Sequence, residues 1–225
     1  MFLKKIFPLI AAIILIIGCS DMHLSRDNIF PEDLPPFIRV EELFESERDE
    51  NGITRTTFST NDRRFWTLEG MTIWTVWGDS DAPFTSRTVM MSKPNGFYGG
   101  GYGLVICQGE HEIDGVYVPV MLVVMINNNG QYIIGKAVGG VFTDFGWWQS
   151  TPHLNSSAGA PNSVTVTLDT AEDEFILIIN GYEVERFRDT ENPVLRSGRS
   201  GYIVVTTPFD NFPHTWVIVH FWEEK

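Results

Sequence analysis

The sequence predicts an all-β fold, a jelly-roll sandwich of two packed antiparallel sheets. Three observations carry this. Runs rich in Val, Ile, Thr, Phe and Tyr recur along most of the chain with turn residues between them. No segment sustains the 3.6-residue apolar period of a helix. Asn180-Gly181 separates two strand-like runs by two residues, and a type I′ hairpin turn needs positive φ at both of its central positions.

Taken in order, the runs place strands near 54–59, 64–68, 71–77, 86–92, 101–107, 117–126, 131–138, 163–168, 174–180, 182–188, 201–207 and 214–222. Apolar and hydroxyl residues alternate from Ser163 to Leu168, so one face of that strand meets a core and the other meets water. Tyr117 to Ile126 is almost continuously apolar, as a central strand covered on both faces should be. Asn128-Asn129-Gly130 supplies a slightly longer turn before Gln131. About twelve strands joined mostly by hairpins require two sheets packed on each other.

Ahead of these strands lie Lys4 and Lys5, an apolar run from Ile6 to Ile17, and Gly18-Cys19. A basic start, a short apolar stretch and a small residue before a cleavage point are the parts of a secretory signal. With the cysteine directly after Gly18, the stretch resembles the lipobox of bacterial lipoprotein signal peptides. That resemblance implies cleavage after residue 18 and a diacylglycerol on the Cys19 thiol. Residues 19–40, with Pro31, Pro35 and Pro36 among charges, read as a lipidated N-terminus and tether, and residues 41–225 as the sandwich domain. Ser20, rather than Asp, after Cys19 favours the outer membrane or cell surface over inner-membrane retention.

The chain carries 16 Lys and Arg against 29 Asp and Glu, a formal charge of −13. A surface of that sign repels phosphate backbones and excludes nucleic acid as the expected partner. It also leaves membrane attachment to the lipid, because no basic patch is available to attract anionic headgroups. Cys107 is the only other cysteine and sits within an apolar run, where a small core residue is expected.

Several segments fall in a familiar order. Gly101 to Ile106 comes first, followed by the long apolar strand, Pro161 to Val166, Phe175 to Gly181, Gly198 to Val205, and a closing strand through Trp216 to Val219. This order resembles the concanavalin A-like lectin/glucanase superfamily, in its laminin-G-like and keto-disaccharide-hydrolase-like forms. The resemblance covers residues from about 60 to 225. It implies the fold and leaves the chemistry to the site.

Laminarinase-like members of that superfamily carry Glu-x-Asp-x-x-Glu on one strand of a concave sheet. Retention at the sugar requires the two acting carboxyls about 5–5.5 Å apart, and alternate strand residues share a face. Glu112-Ile113-Asp114 supplies two acids, but Gly115, Val116, Tyr117 and Val118 follow and the third is missing. Bracketed by Gly109 and Gly115, the stretch reads as a solvated loop. If the protein is an enzyme, Glu112 and Asp114 are the catalytic candidates.

Trp147, Trp148, Gln149 and His153 are the candidate ligand-binding residues. Indole faces stack on the C–H faces of sugar rings, while an amide and an imidazole hydrogen-bond hydroxyls. They lie in the long connection between the strands ending near 138 and starting near 163. Adjacent residues of an extended chain point in opposite directions, so one indole should be buried and the other outward. Trp74 and Trp77, three apart, should likewise lie on opposite faces of their strand.

Acidic loops at Asp79-Ser80-Asp81 and at Asp169 with Glu172-Asp173-Glu174 offer the oxygen ligands that suit a structural Ca²⁺, but their spacing matches no calcium loop. The five histidines show no zinc spacing, and Gly99-Gly100-Gly101 lacks the lysine and helix of a phosphate loop. No metal or cofactor is expected. The reading is a cell-envelope lipoprotein whose sandwich binds a glycan or other ligand without catalysis. The alternatives are a glycoside-acting hydrolase of the same fold and a structural or protein-interaction module.

Overall fold

A computed structural model describes residues 37–62, 65, 71–207 and 216–224. The expected signal segment, Cys19 and the expected tether up to residue 36 lie outside them. So does the expected strand at 64–68, apart from Phe65.

The described residues form β1 (Phe37–Arg39), β2 (Phe44–Arg48), β3 (Ile53–Thr60), β4 (Met71–Trp77), β5 (Ser86–Asn95), β6 (Tyr102–Ile113), β7 (Val116–Ile126), β8 (Gln131–Val138), β9 (Val141–Ser150), β10 (Asn162–Asp169), β11 (Glu174–Ile179), β12 (Tyr182–Phe187), β13 (Arg199–Thr206) and β14 (Val217–Glu224), with one 3-10 turn at Glu41–Leu43. One sheet, here sheet A, runs β1-β4-β13-β6-β7-β8-β9, and sheet B runs β12-β11-β10-β5-β14-β3-β2. Every pairing is antiparallel except β1 with β4. Phe37–Arg39, read as tether, is thus an edge strand of sheet A.

Alternation along each strand builds the core. Val120, Leu122, Val124 and Ile126 of β7 enter the cluster between the sheets, together with Tyr102, Leu104 and Ile106 of β6, Val164 and Val166 of β10, Phe175 and Leu177 of β11, and Phe221 of β14. Each fully buried side chain of this size removes enough apolar surface from water to contribute about 1.5–3 kcal/mol before entropy is counted. Cys107 belongs to this core and is a free thiol. Burial pushes its pKa up to about 12, so it is inert as a nucleophile.

The intervening residues form a second buried cluster on the other face of sheet A: Trp74 and Val76 of β4, Ile203 of β13, Val105 of β6, Met121, Val123 and Met125 of β7, and Ile133 and Ala137 of β8. This is why β7 reads as apolar on both sides. Two aromatics from edge strand β9 lie across the same face. A Cβ on Gly135 would come within 2.5 Å of the Phe142 ring, and one on Gly101 within 3.1 Å of the Trp148 ring. Glycine at those two positions leaves room for the rings to lie flat on the sheet.

The Asn180-Gly181 turn has φ of 50° and 84°, as a type I′ hairpin needs. Asp114-Gly115 does the same, with φ of 52° and 80°. The stretch from Gly109 to Ile113 is therefore strand rather than loop, paired through Glu112 with Tyr117, and the solvated loop is reduced to two residues. The connection expected between 138 and 163 likewise holds a full strand, β9, hydrogen-bonded to β8.

Candidate functional site

Edge strand β9 carries the candidate residues, and its irregular register positions them. Gly146 pairs with Ile134 and Gln149 with Tyr132, so Trp147 and Trp148 together stand opposite the single residue Ile133. Such a bulge breaks strict alternation and re-aims side chains at a sheet edge. Trp148 packs against the apolar cluster on the outer face of sheet A, beside Met125 and Gly101. Trp147 is 77% exposed, the most exposed of the large hydrophobic side chains described. Trp148 is thus partly buried on that face and Trp147 exposed, a difference that comes from the bulge and not from simple strand alternation.

Gln149 lies opposite Tyr132, whose side chain belongs to the inter-sheet core, and so turns toward sheet B at the open side of the sandwich. The Tyr132 hydroxyl donates to Gln149 Oε1 at 3.1 Å, and Gln149 Nε2 donates to Glu185 Oε2 at 3.4 Å. Glu185 sits on β12, the edge strand of sheet B, opposite core residue Leu177, which aims it back toward β9. The relay therefore spans the gap between the two edge strands. Burial, then the Glu185 carboxylate, push the Tyr132 pKa up to about 12, which keeps its hydroxyl a donor.

His153 stacks on Tyr182, with ring centroids 4.2 Å apart and planes 13° apart. Asn180 Nδ2 holds the loop by donating to the His153 carbonyl at 2.7 Å and to Asn162 Oδ1 at 2.9 Å. The Asn-Gly turn thus also anchors the segment that follows β9. Sequence reasoning missed Tyr132, Tyr182 and Glu185. Tyr182 alone carried a signal, since the residue after a hairpin turn stands at a strand end.

Glu112 and Asp114 are elsewhere. Both are exposed at the tip of the β6–β7 ribbon. Along β7, the partner of Glu112 is Tyr117, while Met125 pairs with Ile133 beside the tryptophans. Eight residues of strand separate those levels, about 27 Å. The two candidate sets lie toward opposite ends of the sandwich and cannot act on one sugar. The central outer face of sheet A offers Trp74, Val76, Val105, Met121, Val123, Ile133, Ala137 and Ile203, and none of these is an acid. Trp74 faces this cluster, whereas Trp77 stacks edge-on against core residue Tyr202.

The acidic loops are occupied with their own turns. Asp79 Oδ1 accepts the amide of Asp81 at 3.0 Å, and Asp169 Oδ1 those of Ala171 at 3.1 Å and Glu172 at 3.3 Å. Among the described residues, no three His, Cys, Asp or Glu side chains are grouped to hold a metal ion.

No protein-family model matches the chain, and no curated protein matches it in sequence. Solved structures do match in shape. The carbohydrate-binding module CBM66 from Bacillus subtilis superposes with a TM-score of 0.50 at 11% identity, over 79% of this chain and 88% of its own. A β-1,3-1,4-glucanase (lichenase) derived from a mouse hindgut metagenome gives 0.52 at 11% identity, over 88% of this chain and 87% of its own. A glycoside hydrolase family 16 endo-glucanase from Bacteroides ovatus gives 0.50 at 7% identity, over 86% and 90%. The fold is that of the concanavalin A-like jelly rolls.

Proposed function

We propose that this chain is a lipid-anchored cell-envelope protein that binds a glycan at the β9–β12 edge and does not cleave it. The observation that carries the reading is Trp147, a flat apolar face 77% exposed, two residues before the amide that joins Tyr132 to Glu185. A sugar ring stacks its C–H face on such an indole while neighbouring amide and carboxylate groups take its hydroxyls. The likeness to a carbohydrate-binding module and to glucanases supports a fold on which glycan sites occur. The apolar paving of the sheet A face and the remoteness of Glu112 argue against hydrolysis.

Binding of the detergent-solubilised full-length protein to a glycan array, with thermal unfolding alongside, tests this. Trp147→Ala is expected to weaken binding by about 5- to 150-fold, corresponding to about 1–3 kcal/mol, with little change in stability. Trp148→Ala should do the reverse, because its ring is packed. Glu112→Gln serves as the control that changes neither. Loss of stability in both tryptophan variants with no change in binding to any glycan rejects the site.

The anchor rests on Gly18-Cys19 at the end of the apolar run. The outer membrane or cell surface is its proposed location. Cys19→Ala is expected to abolish acyl labelling and leave the protein out of the detergent phase. An intact mass showing unmodified Cys19 in the mature protein contradicts the anchor.

A further inference from the structure

We propose that the β9–β12 edge selects glycans bearing protonated amino groups, such as de-N-acetylated glucosamine oligomers, and rejects uronic-acid and sulfated glycans, with Glu185 as the selecting group. The inference rests on the glycan-binding reading above and names the ligand class of that site.

Glu185 is a half-buried carboxylate, and among the described residues no lysine or arginine pairs with it. The cations nearest to it along β12 and beyond are committed elsewhere. Arg186 grips Glu183 at 2.8 Å, and Arg188 binds Glu174 at 3.0 Å. By alternation both arginines stand on the opposite face of the strand from Glu185, apart from the bulge between Leu177 and Ile178 that separates Glu183 from Glu185. The polar neighbours of Glu185 are both neutral, the Gln149 amide donating to Oε2 at 3.4 Å and the Tyr132 hydroxyl beside it, which leaves acceptor capacity on the carboxylate.

That donation also orients the carboxylate. Tyr132 fixes the Gln149 amide by donating to its oxygen, so the amide nitrogen must face Glu185. An ammonium group held against a carboxylate forms a charge-assisted hydrogen bond, roughly twice as strong as a neutral one. A cation beside the Trp147 face gains further from the ring quadrupole. An anionic sugar meets the opposite conditions, an uncompensated carboxylate on a protein of net charge −13.

The test is calorimetric titration of the full-length protein in detergent at mildly acidic pH with three oligosaccharides of equal length: glucosamine, N-acetylglucosamine and galacturonic acid. The glucosamine oligomer is expected to bind about tenfold more tightly than its N-acetylated counterpart, and the galacturonate not measurably. Glu185→Gln, which keeps the shape of the side chain, should bring the affinities for the glucosamine and N-acetylglucosamine oligomers together, and added salt should shrink the preference of the unaltered protein. Glu183→Gln, whose carboxylate is already bound to Arg186, should keep the preference. Trp147-dependent binding with equal affinity for the amino and N-acetyl oligomers, or a preference that survives Glu185→Gln, overturns this inference and leaves the glycan-binding reading standing. Failure of all three to bind, together with silence on the glycan array, overturns both.

Discussion

Lys136→Met is expected to lower the unfolding free energy by about 3–5 kcal/mol. The ammonium of Lys136 lies on the core side of β8 with 1% of its side chain exposed, and its partner Asp189 has none. Nζ donates to Asp189 Oδ1 at 2.9 Å and Oδ2 at 3.1 Å, to the Glu191 carbonyl at 2.8 Å, and to the Pro193 carbonyl. Asp189 Oδ2 in turn accepts the Leu195 amide at 2.7 Å. One cation thus ties the β12–β13 connection to sheet A. Its removal strands a carboxylate where water cannot reach, and that desolvated charge, more than the lost bonds, sets the cost. Denaturant unfolding measures it. Lys136→Met with Asp189→Leu should recover most of the loss, since an apolar pair of similar volume replaces the ions. The recovery stays incomplete because the Leu195 amide then lacks its acceptor. A single-variant loss under about 1 kcal/mol contradicts the account.

This pair shows where sequence reasoning stopped. The run Gln131 to Val138 was readable as a strand, and its bounds are those of β8. Alternation even puts Lys136 in line with Tyr132 and Ile134, on the core side. Nothing local signals its partner, 53 residues away in a connection without regular structure. Long-range ion pairs are set by the packing of the two sheets, and composition does not record packing.

Gly201→Ala is expected to cost about 3 kcal/mol, at the upper end of ordinary overpacking. A Cβ there would sit 1.7 Å from the Thr75 carbonyl oxygen and 2.7 Å from the Val76 Cα. Both belong to β4, the strand that β13 pairs with through Gly201 and Val76. Backbone cannot swing away as a side-chain tip can, so the central ladder of sheet A has to open. Thermal unfolding of Gly201→Ala beside Gly181→Ala separates close approach from turn strain. Gly181 has open space at its Cβ position and only a positive φ to defend, so its substitution should cost about 1 kcal/mol. A Gly201 variant no less stable than the Gly181 variant refutes the steric argument.

Glycine inside a strand is a visible mark of close approach, and the Asn-Gly turn at 180–181 is visible too. The hairpins and most strands were legible for such reasons: local turn chemistry and an alternating pattern agree. Strand β9 was not. Val141 to Ser150 mixes Asp144, Gly146 and aromatics with no clean alternation, because an edge strand with two register breaks has no uniform face. The ribbon at 109–113 was misread because glycines and acids suggested a loop where strand pairing to β7 prevails. For the candidate site, the exposed indole was legible from residue type. The Tyr132–Gln149–Glu185 relay was not, since it joins two sheets that only the folded sandwich brings edge to edge.

The central claim is that a glycan seats on the Trp147 edge of β9. Indole N–H resonances of the full-length protein in detergent micelles, assigned by single Trp→Phe substitutions, follow this directly during titration with glucosamine and β-glucan oligosaccharides. Trp77 and Trp216 are the other tryptophans with substantial exposure among the described residues, so they report on other surfaces. The account predicts a dose-dependent shift of the Trp147 indole while those of Trp77 and Trp216 stay in place. A shift confined to Trp77 or Trp216, or no shift of any indole with any oligosaccharide, contradicts it.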